Sequence, residues 1–192
     1  MAQSEIQEHI EALKVENWHI RQVATEALGN IGGEAVVPAL IQALDDEAWP
    51  VRGNAAEALG TIGNKAVVPA LVKALKDNDD YVRDIAAEAL GKIGGPTTVP
   101  ALIEALMDES QCVRGTAAEA LGKIGDPVTI PALIEVVKKD MYWSVRVDAA
   151  EAVGNIGGEA AVSILTQVSK RDRDTDVRKM ATNSLKKLKR KR

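Results

Sequence analysis

Residues that bind metals or act as nucleophiles are scarce in this sequence of 192 residues. His9 and His19 are its only imidazoles, and Cys112 is its only thiol. Metal sites usually need three or four converging ligands, so we expect both histidines to have solvated or structural roles. A lone cysteine excludes an intramolecular disulfide framework and a multi-cysteine zinc site. The sequence therefore predicts no catalytic residue, no metal site and no cofactor.

Aromatic and acidic residues, by contrast, recur at regular intervals. One row contains Trp18, Trp49, Tyr81, Cys112 and Trp143, and a second row contains Glu26, Glu57, Glu88, Glu119 and Glu151. Exposed aromatic residues are enriched in binding surfaces, whereas acid–base catalysis by paired carboxylates needs an enclosed site. Two simpler interpretations stay open: the rings cap the turns between helices, and the glutamates are solvated helix formers.

Both rows belong to a repeat whose clearest copy is V-R-G-N-A-A-E-A-L-G-T-I-G, from Val51 to Gly63. Its arginine recurs at intervals of 31, 31, 31, 32 and 32 residues, as Arg21, Arg52, Arg83, Arg114, Arg146 and Arg178. Val51, Ala55, Leu59 and Ile62 have the spacing of one helical face. A second apolar helical pattern, usually containing P-A-L, lies between copies. Each repeat is therefore predicted to be two antiparallel helices that must stack on their neighbours to bury their apolar faces.

The predicted fold is all-α, an α-solenoid of about six antiparallel helix pairs. We expect residues 1–192 to form a single repeat domain. Within it we assign residues 1–33 to an N-terminal cap pair, 34–158 to four regular repeats, and 159–192 to a C-terminal cap pair with a basic tail.

Glycine and proline predict local details of the repeat. In each G-x-I-G the second glycine, as in Gly63, suits a left-handed helix cap, and the first, as in Gly60, allows the next repeat to approach closely. Asp126 and Pro127 have the types expected at a helix start. Pro131 then falls one turn inside that helix, where it is expected to cause a bend.

The repeated arginines are predicted to form ion pairs with acidic residues in the connection that precedes each one. The expected partners are Asp45 or Asp46 for Arg52, Asp77 for Arg83, and Asp108 for Arg114.

The composition is typical of a soluble protein. A net charge of −4 with 27% charged residues argues against non-specific nucleic-acid binding. Residues Met1 to Glu5 contain neither the charged nor the apolar region of a signal peptide, and no apolar run is long enough to cross a bilayer. We expect a cytoplasmic protein with no membrane partner.

The pattern D-x-x-V-R-x-x-A-A-E-A-L-G-x-I-G followed by A-V-x-P-A-L-I-x-A-L resembles the short HEAT-like repeat of phycobilin lyases and many uncharacterised prokaryotic proteins. It also resembles artificial alpha-repeat scaffolds derived from that family. The resemblance covers roughly residues 4 to 188. It implies a right-handed α-solenoid of short HEAT-like repeats, in which the second helix of each pair lines the concave surface. The family includes binding proteins, bilin lyases, a metal hydroxylase and DNA-binding members.

The resemblance also implies alternatives to a binding role. Deoxyhypusine hydroxylases place His-Glu pairs before the A-A-E-A-L-G helix to ligate two irons. The matching positions here are Gln22-Val23, Gly53-Asn54, Asp84-Ile85, Gly115-Thr116 and Val147-Asp148. None is His-Glu, which excludes that di-iron site. A phycobilin lyase or bilin-handling protein stays an alternative, with Cys112 in a groove with aromatic walls, as does an engineered binding scaffold.

Helical projection defines the candidate binding face. It places Trp49, Gly53 and Glu57 opposite the buried line, flanked by Asn54 and Thr61. Across the repeats, the predicted partner-binding residues are Trp18, Trp49, Gly53, Asn54, Glu57, Tyr81, Asp84, Ile85, Glu88, Cys112, Gly115, Glu119, Trp143, Asp148 and Glu151. Gly53 and Gly115 are expected to leave recesses beside the rings. Acidic residues outnumber basic ones on this face, so phosphate is expected to be repelled.

The sequence thus predicts a non-catalytic protein- or peptide-binding scaffold that uses the acidic, aromatic-marked concave face of its second helices. Its partner is expected to carry basic and apolar groups, and nucleic acid is unfavoured. End-to-end self-association stays open, because a solenoid buries its ends only where the terminal repeats act as caps.

Overall fold

A computed structural model describes residues 2–190, which form twelve α-helices and no strand. None of these helices combines the length and apolar character needed to span a bilayer. The described chain divides into two compact units, one ending at Ile93 and the other beginning at Gly94.

The first unit contains six helices in three pairs. They are α1 (Ala2–Ala12), α2 (Trp18–Ile31), α3 (Val37–Ala43), α4 (Trp49–Ile62), α5 (Val68–Ala74) and α6 (Asp80–Ile93). The second helix of each pair packs on the next, so α4 lies between α2 and α6, while α3 packs on α4 and α5 on α6. Leu28, Leu40, Leu59, Leu71 and Leu90 are fully buried between them. The core of this unit is therefore a column of repeated leucines.

The second unit repeats this arrangement. Its helices are α7 (Val99–Ala105), α8 (Gln111–Ile124), α9 (Ile130–Lys139), α10 (Trp143–Ile156), α11 (Glu159–Arg171) and α12 (Thr175–Arg190). α10 packs on α8, α9 and α12, and α11 packs on α12. Of the predicted basic tail, Lys186 to Arg190 continue α12, and Lys191 and Arg192 lie outside the described residues. The predicted all-α solenoid class is confirmed.

The predicted close approach is confirmed at Gly60 and Gly122, and the left-handed cap at Gly63 and Gly125. Gly32 and Gly157 also end their helices at positive φ, but their ψ angles of −166° and −156° lie outside the left-handed helical region. A Cβ added at Gly60 would lie 2.6 Å from the Cβ of Ala89 in the next second helix, and one at Gly122 would lie 2.6 Å from the Cα of Ala152. Gly63 ends α4 in the left-handed conformation, at φ 71° and ψ 13°. The first glycine of each pair thus lets adjacent helices touch, and the second turns the chain out of the helix.

The predicted bend at Pro131 is wrong. Asp126 accepts a hydrogen bond from the Val128 N–H, but the turn that it caps is a separate 3₁₀ turn, Pro127–Thr129. α9 begins only at Ile130, so Pro131 lies in its first turn, where the missing N–H breaks no helical hydrogen bond. Where Ser163 replaces the proline, α11 is one continuous helix with no 3₁₀ turn.

The repeated arginines do form ion pairs with aspartates, but the predicted partners are wrong. Arg52 donates to both carboxylate oxygens of Asp77 in the following connection, each at 2.7 Å. The preceding connection contributes backbone oxygens instead, those of Asp46 at 2.8 Å and Glu47 at 3.0 Å. The Asp46 carboxylate is occupied by the Ala48 N–H and by Arg21.

Arg114 shows the same inversion, and Arg83 contacts the backbone of its predicted partner. Arg114 donates to both oxygens of the Asp140 carboxylate, at 2.7 and 3.1 Å, and to the backbone oxygen of Asp108 at 2.8 Å. Arg83 donates a hydrogen bond to the backbone oxygen of Asp77 at 2.9 Å. Asp46, Asp77 and Asp140 each accept the backbone N–H two residues further on, just before the next second helix begins. The same carboxylates pair with the arginine of the preceding second helix, Arg21, Arg52 and Arg114 respectively.

Candidate functional site

The second-helix face of the first unit carries a pair of aromatic rings. Trp49 and Tyr81 meet edge to face, with ring centroids 5.2 Å apart and planes at 69°. Nearly half of each residue is exposed, 47% for Trp49 and 45% for Tyr81. This geometry is the favourable one for two aromatic quadrupoles, so the pair is held in place while presenting apolar surface to solvent.

Gly53 makes room for this pair rather than leaving a recess beside it. A Cβ at Gly53 would lie 2.8 Å from Cε1 of Tyr81, so the tyrosine ring fills the predicted recess. The glycine is buried although it lies in the middle of α4. The absence of a side chain at Gly53 therefore positions Tyr81 instead of admitting a ligand.

The aromatic row is less regular than its spacing suggests. Trp18, Trp49 and Trp143 are the first residues of their helices, whereas Tyr81 and Cys112 are the second residues of theirs. Trp18 stacks on its neighbour His19, with ring centroids 3.5 Å apart. Tyr81 can reach Gly53 because it lies one position further along its helix.

A polar groove of ≈ 300 Å³ lies between α2 and α4, and neither ring of the aromatic pair lines it. Its lining consists of Gln22, Glu26, Gly29, Asn30, Asn54, Glu57, Ala58 and Thr61. Sequence reasoning missed Gln22 and Asn30 as site residues, although they occupy the repeat positions of Gly53 and Thr61, which the projection placed on this face. Their position in the repeat was the available signal.

The acidic row in the first unit is only partly neutralised. Glu88 pairs with Lys92 at 3.0 Å in α6. Within residues 2–190, no cation lies within ion-pair distance of Glu26 or Glu57. Asn54, Asp84 and Ile85, also predicted for this face, are half-buried. The first unit therefore combines an aromatic pair with two carboxylates that have no ion-pair partner within residues 2–190.

The second unit fills the corresponding position differently. A Cβ at Gly115 would lie 2.8 Å from Oδ2 of Asp148, so a carboxylate takes the place that a ring takes at Gly53. Burial, with the negative charges of Glu119 and Glu151, raises the pKa of Asp148 to about 6. The two glutamates face lysines at 3.5 Å, Lys123 and Lys187 respectively. This face is acidic, with part of its charge compensated.

The remaining predicted residues of the second unit stay apart from this cluster. Trp143 is 50% exposed at the start of α10, and Cys112 is exposed near the start of α8. Across residues 2–190, no group of three or more His, Cys, Asp and Glu side chains has an arrangement suited to a metal ion. The exposed rings on this face can stack on apolar groups, and its carboxylates can attract cations.

Comparison with known proteins agrees with the repeat architecture. HEAT repeats are matched over residues 6–91, 37–121, 68–146 and 99–186. No curated protein sequence matches the chain.

Among solved structures, the complex of CpcE and CpcF of phycocyanin lyase from Nostoc sp. PCC7120 is 30% identical, with a TM-score of 0.69 over 95% of this chain and 76% of that chain. An engineered protein is 24% identical, with a TM-score of 0.66 and coverage of 96% of both chains. A designed armadillo repeat protein in complex with the peptide (KR)4 is 21% identical, with a TM-score of 0.65 over 94% of this chain and 98% of that one.

The overlapping matches follow the same helix pairs that the structure displays, and together they cover residues 6–186. The repeated arginine, the paired glycines and the column of leucines are the residues that hold these pairs together. On this evidence of sequence and fold, the chain belongs to the HEAT-repeat family.

Proposed function

We propose that this protein is a non-catalytic scaffold that binds a protein or peptide carrying basic and apolar groups through its second-helix face. The observation that carries the proposal is the exposed Trp49–Tyr81 pair on second helices whose neighbouring turns carry Glu26 and Glu57, two exposed glutamates with no ion-pair partner among residues 2–190. The same fold is used by a designed armadillo repeat protein in complex with the peptide (KR)4.

The aromatic pair supplies the apolar part of the site. Rings already held in an edge-to-face contact lose little conformational freedom when a partner covers them, so most of the gain from burying them is retained. A lysine or arginine of the partner can also lie over the exposed face of Trp49 and gain a cation–π interaction. Tryptophan and tyrosine are accordingly the residue types that dominate binding energies at interfaces.

The carboxylates supply the charge. Trp49 and Glu57 are two helical turns apart on α4, which separates them by about 12 Å along the helix axis. An extended peptide covers that distance with about four residues. A basic side chain on Glu57 and an apolar or basic one on Trp49 therefore fit a short segment in which the two groups are separated by a few residues.

The acidic residues of the second unit are proposed to contribute charge rather than an anchor. Glu119, Asp148 and Glu151 attract cations, but the two lysines at 3.5 Å weaken their field. Binding energy is therefore expected to concentrate on the first unit.

The test is a selection of random peptides on the wild-type protein, with removal of peptides that also bind the Trp49→Ala/Tyr81→Ala double variant. Peptides that alternate Lys or Arg with apolar residues are expected to be enriched. Their affinity, measured by fluorescence anisotropy, should fall by roughly tenfold or more in the double variant.

Trp143→Ala is the matched control, because it removes an equally exposed tryptophan from the first position of α10. It is expected to change affinity by less than about threefold. Enrichment of acidic peptides, or equal binding to the wild type and the double variant, would sink the proposal.

A second candidate is a phycobilin lyase or bilin-handling role, favoured by the 30% identity to the CpcE–CpcF complex over 95% of this chain. Cys112 is exposed on the second-helix face, where a tetrapyrrole has access to it. Mixing the protein with phycocyanobilin and recording the visible spectrum tests this role. A spectral change that Cys112→Ser abolishes supports it, and an unchanged spectrum removes it.

A further inference from the structure

The two ends of the described chain close their helix stacks differently. Between consecutive repeats, the face of a second helix that meets the next one is built from small residues. In α10 these are Ala150, which is fully buried, and Gly154, whose added Cβ would lie 2.4 Å from the Cβ of Ser184 in α12. Removing the side chain at these positions is what lets the helices touch.

In α12 the same repeat positions carry long or polar side chains. Lys186 stands where Gly154 stands in α10, and Thr182 stands where Ala150 stands, and both are exposed. Together with Lys179 they border an open hollow of ≈ 450 Å³ on the outer side of α12. Lys179, Thr182 and Lys186 define the C-terminal end face. The ammonium groups of the two lysines make it basic, although that of Lys179 also pairs with Asp176 at 3.0 Å.

The opposite end keeps its apolar residues. Ile20 and Val23 of α2 occupy the repeat positions of Val51 and Asn54 in α4, on the side that meets the preceding second helix. Val51 is fully buried, but Ile20 is 47% exposed and Val23 is 63% exposed. With the nearby Val15, which is also exposed, they define the N-terminal end face. Exposed β-branched residues at a stacking position leave apolar surface that a partner can cover.

The charges of the two ends are complementary. α1 contains three glutamates and neither lysine nor arginine, whereas α12 contains six basic residues and one acidic residue. The asymmetry extends through the sequence: residues up to Ile93 include 8 Lys and Arg against 15 Asp and Glu, and those from Gly94 onward include 16 against 13. Like charges meet if two N-terminal ends or two C-terminal ends face each other, and opposite charges meet only head to tail.

We propose that the N-terminal end face of one molecule binds the C-terminal end face of a second copy of this chain. The aliphatic stems of Lys179 and Lys186 cover Ile20 and Val23, and their ammonium groups reach the glutamates at the end of the first unit. Because Lys186 replaces a glycine, the two helices stay further apart than consecutive repeats, and the contact depends on charge. A head-to-tail contact leaves a free end on each side, so it builds chains or rings of copies.

Sedimentation velocity over a concentration series tests the proposal in the intact protein. At about 20 mM NaCl the weight-average mass is expected to rise with concentration beyond that of a dimer, and at about 300 mM NaCl the dissociation constant should increase by roughly tenfold or more. A wild-type protein that stays monomeric at low salt, or an association that salt does not weaken, overturns the proposal.

Two blocked variants separate head-to-tail from symmetric pairing. Val23→Lys blocks the N-terminal end face, and Lys179→Glu/Lys186→Glu blocks the C-terminal end face. All three positions are exposed, and circular dichroism melting confirms that each variant folds. Each variant alone is expected to be monomeric, and a mixture is expected to form dimers and nothing larger, because one intact face of each kind remains. Dimers of either variant alone would refute the head-to-tail contact.

Discussion

Gly53 and Gly115 occupy the same position of the repeat, yet the next helix fills the space beside them in opposite ways. At Gly53 the space holds the ring of Tyr81, which comes from the second residue of α6. At Gly115 it holds the carboxylate of Asp148, which comes from one turn later in α10. One place is apolar and tightly packed, and the other contains a carboxyl group with a pKa raised to about 6.

The difference shows how a repeat protein diversifies a surface on a constant frame. A glycine in the middle of a second helix creates a gap, and whichever side chain of the next helix is close enough occupies it. The frame around both gaps is the same, since Arg52–Asp77 and Arg114–Asp140 have the same geometry. We call the arginine–aspartate pairs the frame, and the side chain beside each glycine the filling. Four groups of substitutions, ordered by expected effect, test how far frame and filling are independent.

The largest effect on stability is expected from removing the aspartate of an arginine–aspartate pair. Asp77→Ala and Asp140→Ala should each lower the free energy of unfolding by about 3 kcal/mol, because each leaves an arginine with little exposure and without its carboxylate. Urea denaturation measures the loss. Asp45→Ala, which removes an exposed pair with Lys73, is the control and should cost less than about 0.5 kcal/mol. Clearly unequal losses for Asp77 and Asp140 would show that the frame differs between the units.

These aspartates also predict sensitivity to acid. Burial alone raises the pKa of Asp77, but hydrogen bonds from Arg52 and the Asp79 N–H outweigh it and hold the pKa below its usual value of 3.8. Its stabilising contribution is thus complete above that value and is lost as the pH falls through the lower pKa of the folded protein. The advantage of the wild type over Asp77→Asn should shrink below a pH of about 4.

The second largest effect on stability is expected at Asp148, the side chain beside Gly115. The pKa of Asp148 is raised from 3.8 to about 6, so its charged form destabilises the folded state as the pH rises from 3.8 to about 6, and the penalty is complete above that range. Asp148→Asn should therefore stabilise the protein by about 1 kcal/mol at neutral pH, a value reduced for the partial exposure of the group. The gain should vanish below 3.8, and a gain that persists there would show that charge is not its cause.

The third comparison substitutes the two glycines themselves. Gly115→Ala displaces only a flexible carboxylate toward water, so it should lower the pKa of Asp148 and stabilise the protein by about 0.5 kcal/mol through helix propensity. Gly53→Ala displaces a packed ring, and should lower stability by about 0.5 kcal/mol and weaken selected peptides. Side-chain carboxyl NMR titration and urea denaturation measure these effects. The same sign for both variants would contradict the proposed difference between ring and carboxylate.

The smallest effect concerns the lysines of the second unit. Lys123→Ala should change stability by less than about 0.5 kcal/mol, because its pair with Glu119 is exposed. Affinity for basic peptides should rise by about twofold, since the field of Glu119 is no longer compensated. Weaker binding in anisotropy titrations would instead place Lys123 in contact with the partner.

The candidate site was predictable as a face but not as a set of contacts. Helical spacing alone placed Trp49, Gly53 and Glu57 on one side of α4, because side chains four residues apart share a helix face. It did not reveal that Tyr81 covers Gly53, because that contact joins two helices. Gln22 and Asn30 were missed because they share neither the aromatic nor the acidic character by which the face was recognised.

The sequence by itself determined the repeat period, the helix pairs, the close approach at Gly60 and the buried leucine column, because each of these depends on local spacing and on residue size. Tertiary structure decided which neighbour each side chain meets. In the folded protein Arg52 pairs with Asp77 rather than with the Asp45 or Asp46 carboxylate, and α9 begins at Ile130. The ring of Tyr81 lies beside Gly53, and the carboxylate of Asp148 lies beside Gly115. Contacts between helices depend on their separation and rotation, which periodicity along one chain does not specify.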